Sequence, residues 1–499
     1  MSLSPASHPI VQSPISAPTT KHSWRRLLLL FAFLLLSLAL YILLSHVAPS
    51  EDGPILLFLP VWSICFLPYF AACAYVLATK PLAGRWFWVE LGVILLGALI
   101  FRLVLLPLPP GLSRDVWRYL WDARVITHGY SPYVYAPGSP VLLPLRDILY
   151  TNCRFRNIPT DYPPGAELIF ILGYLLDGHS LLGIKSLFLV FDMISCGALT
   201  WLLARKNLDL RRVIIYAWCP LPIIEFAIEG HVDVLTVMFI VLSILSATST
   251  SRNGRILTGF FIGMATLTRL YPILLLPVVL RRRDWMLLLT CFSTILLGYL
   301  PFVVLGHGQV FGFFLTYASE QGSNAGIMQL LMRWIGSRLG LSLPATVRLE
   351  YIVDLVIVSA GSIVILILRR RERISLELAT LLVICTAFVI ASHIFPWYVT
   401  TLLPWIALLA GPLLLDGKTV VKSLIVAMAW YYVCTILLGY IPNVVGLDKA
   451  PHWAMYFYAN DGLAFKLVVA GAIIMVYCFA SWPVRTNGTK KLAQALGKR

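Results

Sequence analysis

Apolar residues in this chain fall in blocks of about twenty, parted by short polar or basic stretches. Twenty helical residues at 1.5 Å each cross a hydrocarbon core about 30 Å thick. The pattern predicts about fourteen spans, near residues 27–46, 55–78, 87–107, 182–204, 213–228, 232–249, 255–268, 271–280, 285–305, 350–368, 376–394, 398–416, 421–440 and 462–482. The 255–268 and 271–280 pieces are short enough for a broken or re-entrant pair, and a further apolar helix over 164–176 dips into the bilayer. The fold expected is an all-α polytopic membrane protein. A Ser-, Pro- and Ala-rich disordered tail occupies 1–20, one transmembrane domain 21–484 and a basic tail 485–499.

Composition agrees with this pattern. Hydrophobic residues make up 59% and charged residues 12%, with a mean hydropathy of +0.84. Soluble chains carry about 25% charged residues. A soluble enzyme, a secreted disulfide scaffold, a disordered chain and a nucleic-acid binder are thereby excluded. The net charge of +16 reflects topology, because Lys and Arg concentrate in one alternate set of short loops. That bias puts both termini in the cytoplasm. The opposite, outer side owns three long connections, about 108–163, 306–349 and 441–461, rich in Trp, Tyr, Phe and Pro. Long loops of such composition carry function, so any chemistry faces outward. The nine cysteines form no CxxC and no Cys/His metal spacing, and they read as small packed hydrophobes.

In the first outer connection, Ser113 is a candidate N-cap and Gly129 a candidate stop for a helix of about fifteen residues. Asp115, Arg118, Tyr119 and Asp122 fall on one face of it, flanked by Trp117, Leu120, Trp121 and Arg124. This predicts a helix lying along the membrane surface with its rings in the interface. The plainer reading is that Arg118 and Asp122 only support the helix. Asp115 does not fit that reading. One turn beyond a span, between Arg114 and Arg118, it stays ionised and can take a proton from a hydroxyl.

Other ionisable groups gather at the same border. Glu225, Glu229, His231 and Asp233 sit where one span turns back into the next, either in a wet turn or lining a substrate cleft. Arg269, before Tyr271-Pro272, snorkels to the interface or grips a lipid phosphate. His393, Trp397 and Tyr398 surround the helix-breaking Pro396, as an aromatic belt or as stacking surfaces for a sugar or acyl chain. Asp192, Asp354 and Glu377 read as partners of polar groups inside the membrane.

The run from Arg114 to Pro137, with its Tyr-Leu-Trp-Asp and Gly-Tyr-Ser-Pro-Tyr segments, resembles the GT-C glycosyltransferases. It looks like bacterial polyprenyl-phosphomannose-dependent mannosyltransferases, and distantly like the GPI mannosyltransferase catalytic subunit. The resemblance continues at Asp161-Tyr162-Pro163-Pro164, at Glu229-Gly230-His231-Val232-Asp233 and at His393-Ile394-Phe395-Pro396-Trp397-Tyr398. It implies a GT-C fold with outer juxtamembrane helices and inverting transfer of mannose from a polyprenyl phosphate to a lipid or glycan acceptor. On that reading Asp115 is the base. The substrate contacts are Arg114, Arg118, Tyr119, Asp122, Tyr162, Glu229, His231, Asp233, Arg269, His393, Trp397 and Tyr398, with Arg269 or Arg118 on the phosphate.

The chain departs from the double-acidic pair of several GT-C branches, having Arg114-Asp115 there, so a metal held by such a pair is not supported. No cofactor motif is present, and metal dependence stays open. Partners are the lipid-linked donor, the acceptor and membrane lipids, with no nucleic acid. The membrane is the plasma membrane, or the endoplasmic reticulum in a eukaryote. Glucose, arabinose or N-acetylglucosamine donors and a transporter or flippase are the rival readings, the last requiring internal repeats and a midplane site.

Overall fold

The computed structural model describes residues 20–47, 55–312, 327–390, 394–411 and 417–441. His393, the outer connection beyond Ile441, the predicted span at 462–482 and both tails lie outside the described residues. All regular structure among the described residues is helical. The helices are α1 (Thr20–His46), α2 (Ile55–Ala78), α3 (Arg85–Leu105), α4 (Asp115–Thr127), α5 (Ile148–Asn152), α6 (Pro164–Leu176), α7 (Leu182–Arg205), α8 (Ile214–Ala217), α9 (Pro220–Ala227) and α10 (Asp233–Ala247). There follow α11 (Arg252–Thr266), α12 (Leu276–Val279), α13 (Trp285–Leu305), α14 (Ile327–Arg338), α15 (Leu343–Arg370), α16 (Leu376–Ile390), α17 (Pro396–Val399), α18 (Leu403–Leu409) and α19 (Gly417–Thr435). Among the described residues six helices are long and apolar enough to cross a bilayer: α1, α2, α3, α7, α13 and α15. The protein is a polytopic membrane protein.

The other predicted spans within the described residues are short or broken, and proline explains most of the breaks. The run read as one span over 213–228 divides into α8 and α9, with Pro220 opening the second piece. The 255–268 and 271–280 pair becomes α11, a 3-10 turn Tyr271–Leu275 and α12, with Pro272 and Pro277 at the starts. The run from 398 likewise becomes α17, a 3-10 turn and α18. Proline fixes its own φ and has no N–H to donate, so it begins helices and does not continue them. Conversely, the span placed at 350–368 extends to Leu343–Arg370.

Burial follows helical periodicity. On α1, Leu30, Leu34, Tyr41 and Leu44 are buried, whereas Leu28, Leu35, Leu36 and Leu43 are exposed. On α13, Leu289, Phe292, Leu296, Leu300 and Val304 form an exposed apolar face. Such a face is at home in lipid and would be a liability in water. α10 is the opposite case. It packs between α7 and α11, and every residue from Asp233 to Val241 is buried. One charged cluster lies inside the bundle. Arg102 Nε lies 2.6 Å from Asp192 Oδ2, Tyr216 Oη donates to Asp192 Oδ1 at 2.6 Å, and Arg102 Nη1 donates to the Ala98 and Ala217 carbonyls. This cluster ties α3, α7 and α8 together.

Candidate active site

α4 begins ten residues after α3 ends and stops at Gly129, whose φ of 82° lies in the left-handed region that glycine accepts freely. The N-cap position falls on Arg114 and not on Ser113; Ser113 Oγ still accepts the Asp115 N–H at 3.3 Å. The helix does not lie along a surface. Leu120 and Trp121 are fully buried, with Trp121 against the Tyr150 ring at 5.3 Å, and only Trp117 among the flanking aromatics is half-buried. Apolar residues flank both sides of the polar face, so packing against α5 and α6 draws the whole helix into the protein.

The four residues of that face have different surroundings. Arg118 Nε meets both Asp122 oxygens at 2.8 and 2.9 Å, and its other nitrogens donate to the carbonyls of Phe155 and Ile158. Its guanidinium is a staple between α4 and the following loop, with Asp122 as its counter-ion. Tyr119 stacks on Phe170 at 4.2 Å and reaches the Tyr162 hydroxyl at 3.5 Å. Asp115 differs from all three, because its side chain keeps 21% of its accessibility.

The turn between α9 and α10 docks against the start of α4. Glu229, fully buried, accepts the N–H groups of Gly111, Leu112 and Ser113 at 3.3, 3.0 and 2.9 Å. Its carboxylate therefore fixes the three residues leading into Asp115. Gly230 has φ 69°, and a Cβ there would press on Val116 Cγ2 at 3.1 Å, so glycine is needed both for the turn and for the approach of α4. His231 follows, buried, with its ring stacked on Trp397 at 3.7 Å. Its Nδ1 stands 4.0 Å from Asp115 Oδ2 and its Nε2 3.4 Å from Glu225 Oε2. Burial and the Arg269 charge hold His231 well below its ordinary proton affinity. Glu225 in turn accepts from the Tyr440 hydroxyl at 2.9 Å.

Arg269 pairs with Asp233 through two parallel bonds, Nε to Oδ1 at 3.0 Å and Nη2 to Oδ2 at 2.8 Å. The Tyr162 and Tyr398 rings lie 5.3 and 4.8 Å from the guanidinium carbon. One edge of the fork is thus committed, and Nη1 is the nitrogen outside it.

Asp115, Arg269, His231, Tyr162, Trp397 and Tyr398 therefore share one neighbourhood, with Arg114 half-buried beside Asp115. Burial first, and then the Asp161 charge, push the Asp115 carboxyl from 3.8 up to about 6, against the pull of Arg269. Asp161 is the acidic neighbour that the sequence reading passed over as a site residue. It was legible only as the first letter of Asp161-Tyr162-Pro163-Pro164 opening α6. Gly165 lets α6 approach closely, since a Cβ there would overlap Leu267 Cβ at 2.6 Å, and the Ala166 N–H donates to the Leu267 carbonyl at 3.1 Å. That contact brings Tyr162 and Arg269 together. Among the described residues no three His, Cys, Asp or Glu side chains converge as a metal site. A partly accessible carboxylate with raised proton affinity beside cations is equipped to accept a proton next to a departing anion.

Residues 160–393, just under half of the chain, match the model of glycosyltransferase family 87. The matched stretch includes Asp161, the 229–233 turn and Arg269, and it supports a GT-C-like membrane glycosyltransferase. No curated protein matches the chain.

Proposed function

We propose that this chain is an inverting glycosyltransferase that moves mannose from polyprenyl-phosphate-mannose to a hydroxyl of a lipid or glycan acceptor on the outer face of its membrane. The observation that carries the reading is Asp115, the accessible carboxylate set beside Arg269 and His231. The acceptor oxygen attacks the anomeric carbon as the bond from that carbon to the phosphate oxygen breaks. The acceptor proton passes to Asp115, and the electron pair leaves with the polyprenyl phosphate. Arg269 meets that phosphate through Nη1, Asp233 holding its other edge, and Arg114 adds a second cation. Trp397 and Tyr398 offer ring faces to the sugar or the prenyl chain. The donor arrives through the bilayer, and the plasma membrane, with both termini cytoplasmic, is the expected location.

The test offers wild-type membranes radiolabelled mannose, glucose, arabinose and N-acetylglucosamine, each linked to polyprenyl phosphate, and follows label into lipid or glycan product. Transfer from the mannose donor alone is expected. Transfer from another donor corrects the sugar, and transfer from none overturns the enzyme in favour of a transporter.

Further results are expected. The kcat/KM profile rises with pH and levels off above an apparent pKa near 6, because protonated Asp115 cannot act as a base. Asp161→Asn removes a charge that raises this value, so the acid limb moves to lower pH; an unmoved limb removes Asp115 from the role. Stability has the opposite sign. A carboxyl whose proton affinity rises on folding stabilises the fold below pH 3.8 and loses that contribution as pH climbs through about 6. Glu229→Gln leaves one acceptor oxygen for the three N–H groups and turns an amide NH2, itself a donor, toward the rest, and transfer falls roughly ten- to a hundredfold. Helix content, read by circular dichroism, stays unchanged.

A further inference from the structure

The helices that carry the candidate site run to a second concavity at their other ends. α10 starts with Asp233 in the site and ends at Ala247; α7 starts near Lys185 and ends at Arg205, about 36 Å from its first residue at 1.5 Å per residue. There the ends of α7, α10 and α15, the start of α16 and the segment after α12 line an open cavity of about 670 Å³. Its wall carries Arg205, Lys206, Arg281 and Arg369 against the single carboxylate of Glu377. Glu377 is already held by Lys206 at 2.6 Å.

These cations are not a fan of solvated side chains. Arg281 Nη2 donates to the Ala247 carbonyl at 2.9 Å, and Arg369 Nη1 donates to the Ile374 carbonyl at 3.1 Å. Arg369 Nε also donates to the Val278 carbonyl at 3.5 Å, so both guanidinium groups are tethered while their residues line the cavity, and like charges are held together around an open volume. That arrangement costs Coulomb energy until an anion enters. The depth is that of a membrane interface. Trp201, one turn before Arg205, is 62% exposed, and Trp285, at the start of α13, is 74% exposed. Tryptophan settles at headgroup level, and basic pockets between spans at that level suit lipid phosphates.

We propose that this cavity binds the phosphate headgroup of an anionic membrane lipid. Arg281 and Arg369 take the phosphate oxygens, Arg205 adds charge at the rim, and the acyl chains follow the exposed apolar surface near Trp201. The site is separate from Asp115, and its test does not depend on transfer.

Full-length protein in phosphatidylcholine nanodiscs is titrated with dihexanoyl phosphatidylglycerol, dihexanoyl phosphatidylcholine or inorganic phosphate. Binding is read by thermal shift and by native mass spectrometry. Saturable binding of the glycerol lipid alone is expected. Arg281→Gln with Arg369→Gln weakens it about tenfold or more, while the paired Lys variants retain part of it. Unchanged melting of the variants in phosphatidylcholine alone reports an intact fold. Should the double variant not fold, the exposed Arg205→Gln, with the lipid selectivity of the wild type, decides. Equal binding of the choline lipid, or wild-type affinity in the Gln variants, overturns the site. Inorganic phosphate competing as well as the glycerol lipid overturns the lipid as its source.

Discussion

Asp115→Asn lowers glycosyl transfer by about 10²–10⁴-fold, the range a positioned general base contributes. The replacement is isosteric and keeps the backbone bond from Asp115 to Ser113 Oγ, so the geometry of the α4 start persists. What disappears is the proton acceptor. His231 does not substitute for it: the ring is buried, stacked on Trp397 and 4.0 Å from the Asp115 carboxylate. The variant and wild type are compared in membranes at matched expression with labelled polyprenyl-phosphomannose. Equal transfer by both moves the base elsewhere, and Asp161 is then the first candidate. Asp122 and Asp233 follow behind it, because each is engaged by a guanidinium through both oxygens.

Arg102→Met destabilises the fold by about 3–5 kcal/mol, the cost of leaving a buried charge without its partner. Arg102 and Asp192 are each 1% exposed, and the pair joins α3 to α7 inside the bundle. Thermal unfolding in detergent reads the loss. The double variant Arg102→Met with Asp192→Leu recovers most of it, since the uncompensated carboxylate goes as well. A single variant melting with the wild type would show that water or another group already compensates Asp192.

The long spans were legible because crossing lipid demands an unbroken apolar run, and α1, α2, α3, α7 and α13 follow the predicted blocks closely. Hydropathy does not register backbone breaks, so the run over 213–228 looked continuous although Pro220 starts a new helix within it. In the candidate site, the carboxylates were visible as charges out of place, but their partners were not. Glu229 meets residues 116 to 118 positions away, and Asp233 meets Arg269 across 36. No periodicity encodes such separations. The Arg118–Asp122 pair was visible because it is local, and its spacing said nothing of its burial. Trp121 misled for a related reason: a ring beside a polar face looks the same in sequence whether lipid or protein covers it.

The Glu229 carboxylate has a consequence for how the protein is made. The amides of Gly111, Leu112 and Ser113 gain their acceptor only after residue 229 has been synthesised and the α9–α10 hairpin has entered the membrane. At about 5–20 residues per second, the segment bearing Asp115 waits on the order of ten seconds for the part that anchors it. The Asp115 carboxylate is therefore exposed early and positioned late. Assembly of the candidate site reports on completed insertion of the first ten helices, and a chain truncated before Glu229 carries Asp115 without its anchor.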